Sequence, residues 1–367
     1  MATDSRAVAR PAETLAAPVV RLGRLELLRR RPALLAAGAV VGLAVALVAG
    51  VALGSVAVPP DQTVAILLHR LLGLDLGVSW SAPAETIVVD LRLPRVLTAM
   101  VVGTGLAVAG ATFQGLLRNP LADPYVLGTA SGAALGAAIG VLVPLRWLVL
   151  EFGLVHGLAF AGALLAVFTV YRLSRTGSLG TLTGLLLTGY AVGSLLAAGL
   201  ALVMYLSGQN LRQIFFFLLG GFDGASWLRL AAAAPIVLAG VLAIALRARV
   251  LNAFLLGEET ALHLGVDAQR ERAILLGLAS LVTAAGVAVS GLVGFVGLVA
   301  PHVVRLLAGP NARAVLPVAA LFGASFLAIA DLVARLVGEV PVGVVTAVVG
   351  APFFLYLLRR ARTGYEL

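Results

Sequence analysis

The sequence contains no cysteine and no lysine, and charged residues of any kind are scarce. Without cysteine, the chain has no disulfide, no thiolate metal site and no cysteine nucleophile. Because there is no lysine, all 26 basic residues are arginine, which excludes a G-x-x-x-x-G-K-[ST] loop for nucleotide phosphates. If ATP powers this protein, a separate polypeptide must hydrolyse it.

Hydrophobic residues are abundant instead. They make up 61% of the chain, charged residues make up 12%, and the mean hydropathy is +1.06. A soluble domain is about half apolar and about a quarter charged. Many runs reach the roughly 18–20 apolar residues that cross a bilayer. The composition therefore predicts an all-α polytopic membrane protein, and the net charge of +9 is typical of arginine-rich cytoplasmic loops.

The hydropathy pattern predicts one transmembrane domain, residues 33–360, between a cytoplasmic N-terminal tail, 1–32, and a C-terminal tail, 361–367. About ten spans are expected, one of them a short half-helix. We place them near 33–58, 92–117, 126–144, 150–171, 182–206, 230–246, 273–290, 294–305, 314–335 and 342–358. The span near 294–305 is the half-helix, because about ten helical residues reach only about 15 Å.

Arginines indicate the orientation. All but seven of the 26 fall in the predicted inner loops and tails, which favours cytoplasmic termini. Arg92, Arg95 and Arg335 depart from this bias, because they lie at the outer ends of spans. They either anchor helix ends by snorkelling or form a cationic docking surface for an acidic external partner.

Small residues predict close helix packing in the third span. Glycines recur there every four residues and share one helix face, where a neighbouring backbone can approach closely. They are Gly128, Gly132, Gly136 and Gly140.

Two cytoplasmic segments stand out. The loop "RNPLADPY", 118–125, is either a tight turn or a constriction at the inner mouth of a pathway. The segment 251–272 contains an amphipathic stretch broken at Gly265, with Glu258 and Glu259 on its polar face. Acidic residues there favour a cytoplasmic protein partner over anionic lipid, although a merely solvated loop is the alternative.

Candidate catalytic groups are few. The four histidines are scattered without metal-ligand spacing, and Asp331 is the clearest intramembrane carboxylate. An i,i+4 pair with Arg335 is the simpler account of Asp331. The sequence therefore predicts no enzyme. An ion-coupled secondary transporter is a remote alternative, and a polytopic membrane enzyme would need a clustered catalytic set.

Taken together, six ordered blocks resemble the FecCD family of permeases, the transmembrane subunits of ABC importers for iron–siderophores, haem and vitamin B12. The resemblance covers about residues 33–360. The blocks are "DLRLPRVL", "QGLLRNPLADPYVLGTASGAALGA", "LGEETALHLGV", "SGLVGFVGLVAPHVVRLL", "GASFLAIADLVAR" and "VPVGVVTAVVGAPFFLYLLRR".

The resemblance implies a ten-helix permease in a prokaryotic cytoplasmic membrane. It implies a second permease copy around a central pathway, two cytoplasmic ATPase subunits that hold ATP and Mg²⁺, and an extracytoplasmic binding protein. No cofactor or metal is expected in this chain. The ligand implied is an iron chelate such as a siderophore or haem, with cobalamin as the alternative.

The resemblance also assigns roles to residues. The docking arginines of the family match Arg92, Arg95 and Arg335, and its coupling helices match the amphipathic stretch. Its cytoplasmic gates match the loop after the second span and the start of the fifth. The implied coupling residues are Glu258, Glu259, His263, Leu264 and Gly265, and the implied gate residues are Asn119, Leu121 and Thr183.

Overall fold

The computed structural model describes residues 32–54, 56–143, 153–175 and 182–362, and all regular secondary structure within these ranges is helical. This confirms the predicted all-α class. The predicted tails, 1–32 and 361–367, lie outside the described residues except for Pro32, Ala361 and Arg362.

Fifteen α-helices and two short 3₁₀ turns make up the described chain. In chain order the helices are α1 (Pro32–Ala52), α2 (Pro60–Leu72), α3 (Ala82–Thr86), α4 (Leu93–Leu116), α5 (Thr129–Leu142), α6 (Gly153–Ser174), α7 (Leu182–Leu206), α8 (Leu211–Leu219), α9 (Trp227–Leu246), α10 (Ala248–Leu255), α11 (Glu258–His263), α12 (Ala268–Ser290), α13 (Val296–Ala308), α14 (Ala312–Leu336) and α15 (Val342–Arg362). The 3₁₀ turns are Pro124–Leu127 and Gly208–Asn210.

Seven helical segments are long and apolar enough to cross a membrane. They are Ala33–Ala52, Ala82–Leu116, Gly153–Ser174, Thr183–Leu206, Trp227–Leu246, Ala268–Ser290 and Ala312–Leu336. Three shorter apolar helices, Thr129–Leu142, Val296–Ala308 and Val342–Leu357, occupy the remaining predicted positions. The polytopic class is thus confirmed, and α13 is the predicted half-helix.

The second span begins earlier than predicted. Continuous helix starts at Ala82 instead of residue 92, because the Ser81 hydroxyl accepts a hydrogen bond from the Ala84 N–H at 3.3 Å and caps the first turn. A π-helical turn at Ile87–Arg92 joins α3 to α4. The wider turn lets the chain pass Pro94 without ending the helix, although proline has no N–H to donate.

Helix α4 is the centre of the bundle. Most of its residues are buried, and it packs against α9, α12, α13 and α14. Two close approaches depend on glycine. A Cβ on Gly103 would meet the carbonyl of Gly323 in α14, and a Cβ on Gly110 would meet the carbonyl of Gly297 in α13. Side chains at these points would force the helices apart.

The backbone before α13 is irregular but satisfied. The Leu292 N–H donates to the Phe217 carbonyl at 3.2 Å, and the Tyr125 hydroxyl donates to the Val293 carbonyl at 3.0 Å. The Gly221 N–H donates to the Ser290 carbonyl at 2.7 Å. Non-helical backbone at membrane depth is tolerated when it is buried in protein in this way.

Helices α2 and α8 were not predicted from the sequence. Helix α2 had a readable signal, since a proline stands at its start, Asp61 lies in its first turn and Gly73 ends it in the left-handed conformation, with φ of 68°. Helix α8 is only nine residues long, which is below the length that a hydropathy search for spans detects.

Candidate docking, coupling and gate sites

The three anomalous arginines lie close together at the end of the bundle that is predicted to face outward. Arg92 ends the π-helical turn, Arg95 lies in the first turn of α4 and Arg335 lies near the end of α14. Arg92 contacts the last residues of α1, and Arg95 and Arg335 contact Asp331. We call Arg92, Arg95, Arg335 and Asp331 the outer arginine cluster.

Arg92 and Arg335 bind backbone carbonyls at the C-terminal end of α1. The Arg92 Nη1 donates to the carbonyls of Val51 at 3.0 Å and Ala52 at 2.9 Å. The Arg335 Nη2 donates to the Gly50 carbonyl at 2.8 Å, and its Nη1 donates to Leu53 at 3.0 Å. A helix C-terminus has free carbonyls and negative partial charge, so both guanidinium groups stabilise it. Both arginines are buried, each 7% exposed.

Asp331 holds two of the arginines. Its carboxylate is fully buried and accepts from the Arg95 Nε at 2.9 Å and from the Arg335 Nε at 3.0 Å. The predicted i,i+4 pair with Arg335 is therefore present. The pairing with Arg95, 236 positions away in the sequence, is visible only in the fold.

Arg95 also faces two exposed carboxylates. Its Nη1 lies 2.9 Å from Asp223 Oδ1 and 3.7 Å from Glu339 Oε2. These acidic side chains are 66% and 53% exposed, whereas the Arg95 side chain is 14% exposed. Arg95, Asp223 and Glu339 line an open cleft of about 280 Å³, whose wall also includes Leu91 and Phe222. Asp223 and Glu339 were not predicted from the sequence, because each lies in a loop between helices where no periodic pattern marks it.

A larger cavity of about 440 Å³ lies next to this cleft. Its wall includes Gln213, Phe216 and Phe217 from α8, together with Asp223 and Arg229. Asp223 thus lines both the cleft and the cavity. Glycines and aliphatic side chains make up much of the remaining wall.

The predicted coupling segment folds into helices α10 and α11. The chain breaks at Gly265, as predicted, with φ of 80°, and also at Gly257, with φ of 111°. Ala261 is fully buried and anchors α11, whereas Glu259, His263 and Leu264 are exposed. Glu258 forms an ion pair with Arg272 of α12 at 2.6 Å. Exposed leucines accompany these charges, namely Leu255, Leu256, Leu262 and Leu264.

The predicted gate loop is a capped turn. The Asn119 side chain accepts from the Leu121 N–H at 2.9 Å, and Asp123 accepts from the Tyr125 N–H at 2.8 Å. Burial raises the pKa of the Asp123 carboxyl to about 6. Thr183 is exposed at the start of α7. Helix α7 approaches the loop further along, where a Cβ on Gly189 would lie 2.6 Å from the Val126 carbonyl.

The four glycines of the predicted stripe lie against neighbouring helices. A Cβ on Gly132 would meet the Gly162 carbonyl of α6, a Cβ on Gly136 would meet that of Leu158, and a Cβ on Gly140 would lie 2.7 Å from the Val155 Cα. Gly128 instead faces α7 and has φ of 76°.

No group of three or more potential metal ligands occurs among the described residues. His302, within α13, lies edge-on to Phe353 at 5.8 Å between ring centroids. His69 lies 5.5 Å from Trp80. These two histidines pack against aromatic rings.

Together these features define a class of protein: a helical membrane bundle with a charged cleft and a neighbouring cavity at one end and an amphipathic segment at the other. That class is a transport permease. The chain matches the FecCD transport family over residues 42–360, and it belongs to that family.

Named relatives agree with this membership. The chain is 43% identical over 329 residues to the cobalamin import system permease protein BtuC of Halobacterium salinarum, covering 85% of this chain and 88% of that one. It is 43% identical over 279 residues to the hemin transport system permease protein HmuU of Yersinia pestis, covering 74% and 83%.

A solved structure has the same fold. It is described as an inward-facing conformation of a metal-chelate type ABC transporter, and it superimposes with a TM-score of 0.76 at 29% identity. The alignment covers 90% of this chain and 99% of that one. The protein is thus the multi-pass permease subunit of an ABC importer, a non-catalytic transport component. Such a permease works with ATPase and binding-protein partners.

Proposed function

We propose that the protein imports a metal ion held in a tetrapyrrole-type macrocycle, with cobalamin as the first candidate and haem as the second. The observation that carries this proposal is the pair of relatives at 43% identity, one named for cobalamin and the other for hemin. Both ligands hold a metal ion in a large tetrapyrrole-type ring. The cobalamin relative aligns over more of its length, which puts cobalamin ahead of the iron chelate favoured by the sequence analysis.

The permease works as a pair of identical copies around a central pathway. Helix α7 supports this arrangement, because few of its side chains are buried within the chain. Its exposed side chains include large apolar and aromatic residues at Leu187, Tyr190, Leu195, Leu202 and Tyr205. A face of this kind needs either lipid or a second copy to cover it. Both termini are cytoplasmic, and the membrane is the prokaryotic cytoplasmic membrane.

The outer arginine cluster docks the acidic surface of the binding protein. Charge complementarity supports docking, because surfaces of opposite charge speed association and fix the register of a complex. All three arginines line the open cleft, but Arg95 is the contact, because its side chain is the most exposed of the three, at 14%, and it alone pairs with the exposed carboxylates of Asp223 and Glu339. Arg92 and Arg335 shape the cleft while bound to the end of α1.

The ATPase subunits bind at the coupling segment, and ATP and Mg²⁺ belong to those subunits. The exposed leucines beside Glu259 and His263 support this role, because an exposed apolar patch rimmed by polar residues marks an interaction site. Gly265 shapes the segment, and Glu258 is held by Arg272. The cytoplasmic gate consists of Asn119, Leu121 and Thr183. This chain carries no cofactor of its own.

Ligand identity is tested by reconstituting the full importer in vesicles with its ATPase and binding protein. ATP hydrolysis and uptake are measured with cobalamin, hemin and a ferric siderophore in turn. Stimulation by cobalamin alone, or by hemin alone, supports the corresponding candidate. Stimulation only by the siderophore refutes the macrocycle proposal. Failure to form any ATPase complex contradicts the assignment of the coupling surface.

The two partner surfaces are tested separately. Arg95→Gln should weaken binding-protein docking at least tenfold and leave the ATPase bound, because it removes a charge-assisted contact worth about 1.5–3 kcal/mol. Glu259→Arg should do the converse. Arg212→Gln is the control, because it makes the same one-unit change in charge at an exposed arginine outside the cluster. Equal effects of Arg95→Gln and Arg212→Gln on docking would show that only the overall charge matters.

A further inference from the structure

We propose that Asp223 and Glu339 are resident counter-ions of Arg95, and that carboxylates of the docking protein replace them. This inference rests on the docking role proposed above and adds a competition within the permease. In the free permease the two side chains occupy the position that a partner's acidic residues take on docking. The resident carboxylates therefore weaken docking and make it selective for a partner that brings two acidic groups.

Geometry separates these two carboxylates from the third one. Asp331 is fully buried and bonded by two arginines, so it cannot leave. Asp223 and Glu339 both reach only the Nη1 of Arg95, at 2.9 Å and 3.7 Å, and more than half of each side chain is exposed. Exposed ion pairs contribute little net free energy, so water or another carboxylate displaces them easily.

Charge balance gives the exchange a reason. The outer arginine cluster alone carries two unbalanced positive charges, since it contains three arginines and one aspartate. Asp223 and Glu339 neutralise these charges in the free permease. Two partner carboxylates would restore the same neutrality after docking. The net positive charge of the cluster favours carboxylates in the cleft both before and after docking.

The backbone around the two residues holds them at the cleft. Glu339 has φ of 59°, an uncommon conformation for a residue other than glycine, and such outliers persist where surrounding structure enforces them. Asp223 follows Phe222, which is 1% exposed. The Gly221 N–H, bound to the Ser290 carbonyl at 2.7 Å, fixes the chain just before it. The exchange therefore moves side chains and leaves the loops in place.

Asp223 also connects docking to the larger cavity. It lines both the cleft and the 440 Å³ cavity, close to Arg229. When a partner carboxylate binds Arg95, the released Asp223 carboxylate stays at the wall that the cleft shares with the cavity.

The test is the affinity of the cognate binding protein for the complete importer in lipid nanodiscs. The double variant Asp223→Asn/Glu339→Gln should lower the Kd about three- to tenfold, the range expected when two weak exposed pairs no longer compete. The matched control is Asp61→Asn/Asp90→Asn. It removes two exposed acidic charges that have no ion pair with Arg95 among the described residues.

Repeating the measurement in an Arg95→Gln background distinguishes a direct ion pair with Arg95 from a long-range electrostatic effect of the two carboxylates. The gain from neutralising Asp223 and Glu339 should vanish there, because the guanidinium that they occupy is gone. An equal gain in the control pair, a gain that persists without Arg95, or weaker docking of the double variant would each overturn the exchange. If Arg95→Gln alone leaves docking unchanged, the docking site itself is wrong. If Arg95→Gln weakens docking and the neutral pair changes nothing, only the counter-ion role fails.

Discussion

The buried carboxylate of Asp331 provides the sharpest stability prediction. Asp331→Asn keeps the size of the side chain and removes its charge. Arg95 and Arg335 then lose the anion that both of them bind, at 2.9 Å and 3.0 Å. Water cannot replace this anion at Arg335, because the Arg335 side chain is only 5% exposed.

The expected cost follows from leaving a buried cation uncompensated. Removing one member of a buried ion pair costs about 3–5 kcal/mol. For a chain of 367 residues that corresponds to a fall in Tm of about 4–7 °C, because the unfolding entropy is about 2.1 cal/mol/K per residue. The loss should be larger than for a simple hydrogen bond, since the second arginine bound to the same carboxylate also loses its partner.

Thermal unfolding in detergent, followed by tryptophan fluorescence, measures the effect. Asp90→Asn is the matched control, because it makes the same chemical change at an exposed aspartate near the same cleft. It should shift the Tm by less than about 1–2 °C. An equal Tm for Asp331→Asn and the wild type would refute the argument that this carboxylate fixes the two arginines.

A second variant pair separates the carboxylate's own contribution from that of its partners. Asp331→Leu and Arg335→Leu should each be destabilising, and the double variant should cost less than the sum of the two. Some loss should remain in the double variant, because Arg335 also binds the carbonyls of Gly50 and Leu53. Strict additivity of the two single changes would show that the pair is not energetically coupled.

Three further predictions concern the packing and the inner loop. Gly110→Ala should lower the Tm by several degrees, because a Cβ there would meet the Gly297 carbonyl. Gly38→Ala is the control and should be neutral or slightly stabilising, because the space around Gly38 is open. Equal shifts in Tm for the two variants would refute the close-contact argument. Tyr125→Phe should cost about 1–3 kcal/mol, measured by the same unfolding assay, because it leaves buried backbone groups before α13 unbonded, and an unchanged Tm would contradict that. The raised pKa of Asp123 means that the folded state favours its protonated form, so this group should lower stability as pH rises from about 4 to about 6. Asp123→Asn should remove that fall, and a Tm advantage of the variant that does not grow over this pH interval would refute the burial argument.

The sequence alone determined the helical class and the approximate positions of the spans, because apolar runs of membrane length leave few other folds. The half-helix at α13 was predictable for the same reason, since its apolar run is too short to cross. The break at Gly265 was also predictable from a glycine that ends an amphipathic pattern. Span boundaries were less certain, as the early start of the helix through Arg92 illustrates, because capping and a π-helical turn decide them locally.

The partners of the charged residues were decided only by the tertiary structure. Arg95 finds Asp331, Asp223 and Glu339 on three other parts of the chain, and no local spacing predicts those pairings. The same is true of Arg92 and Arg335, which bind the end of α1. Hydropathy determines that a residue is near a membrane surface, but helix packing determines which carboxylates and carbonyls it meets, and those contacts separate a buried structural ion pair from an exchangeable one.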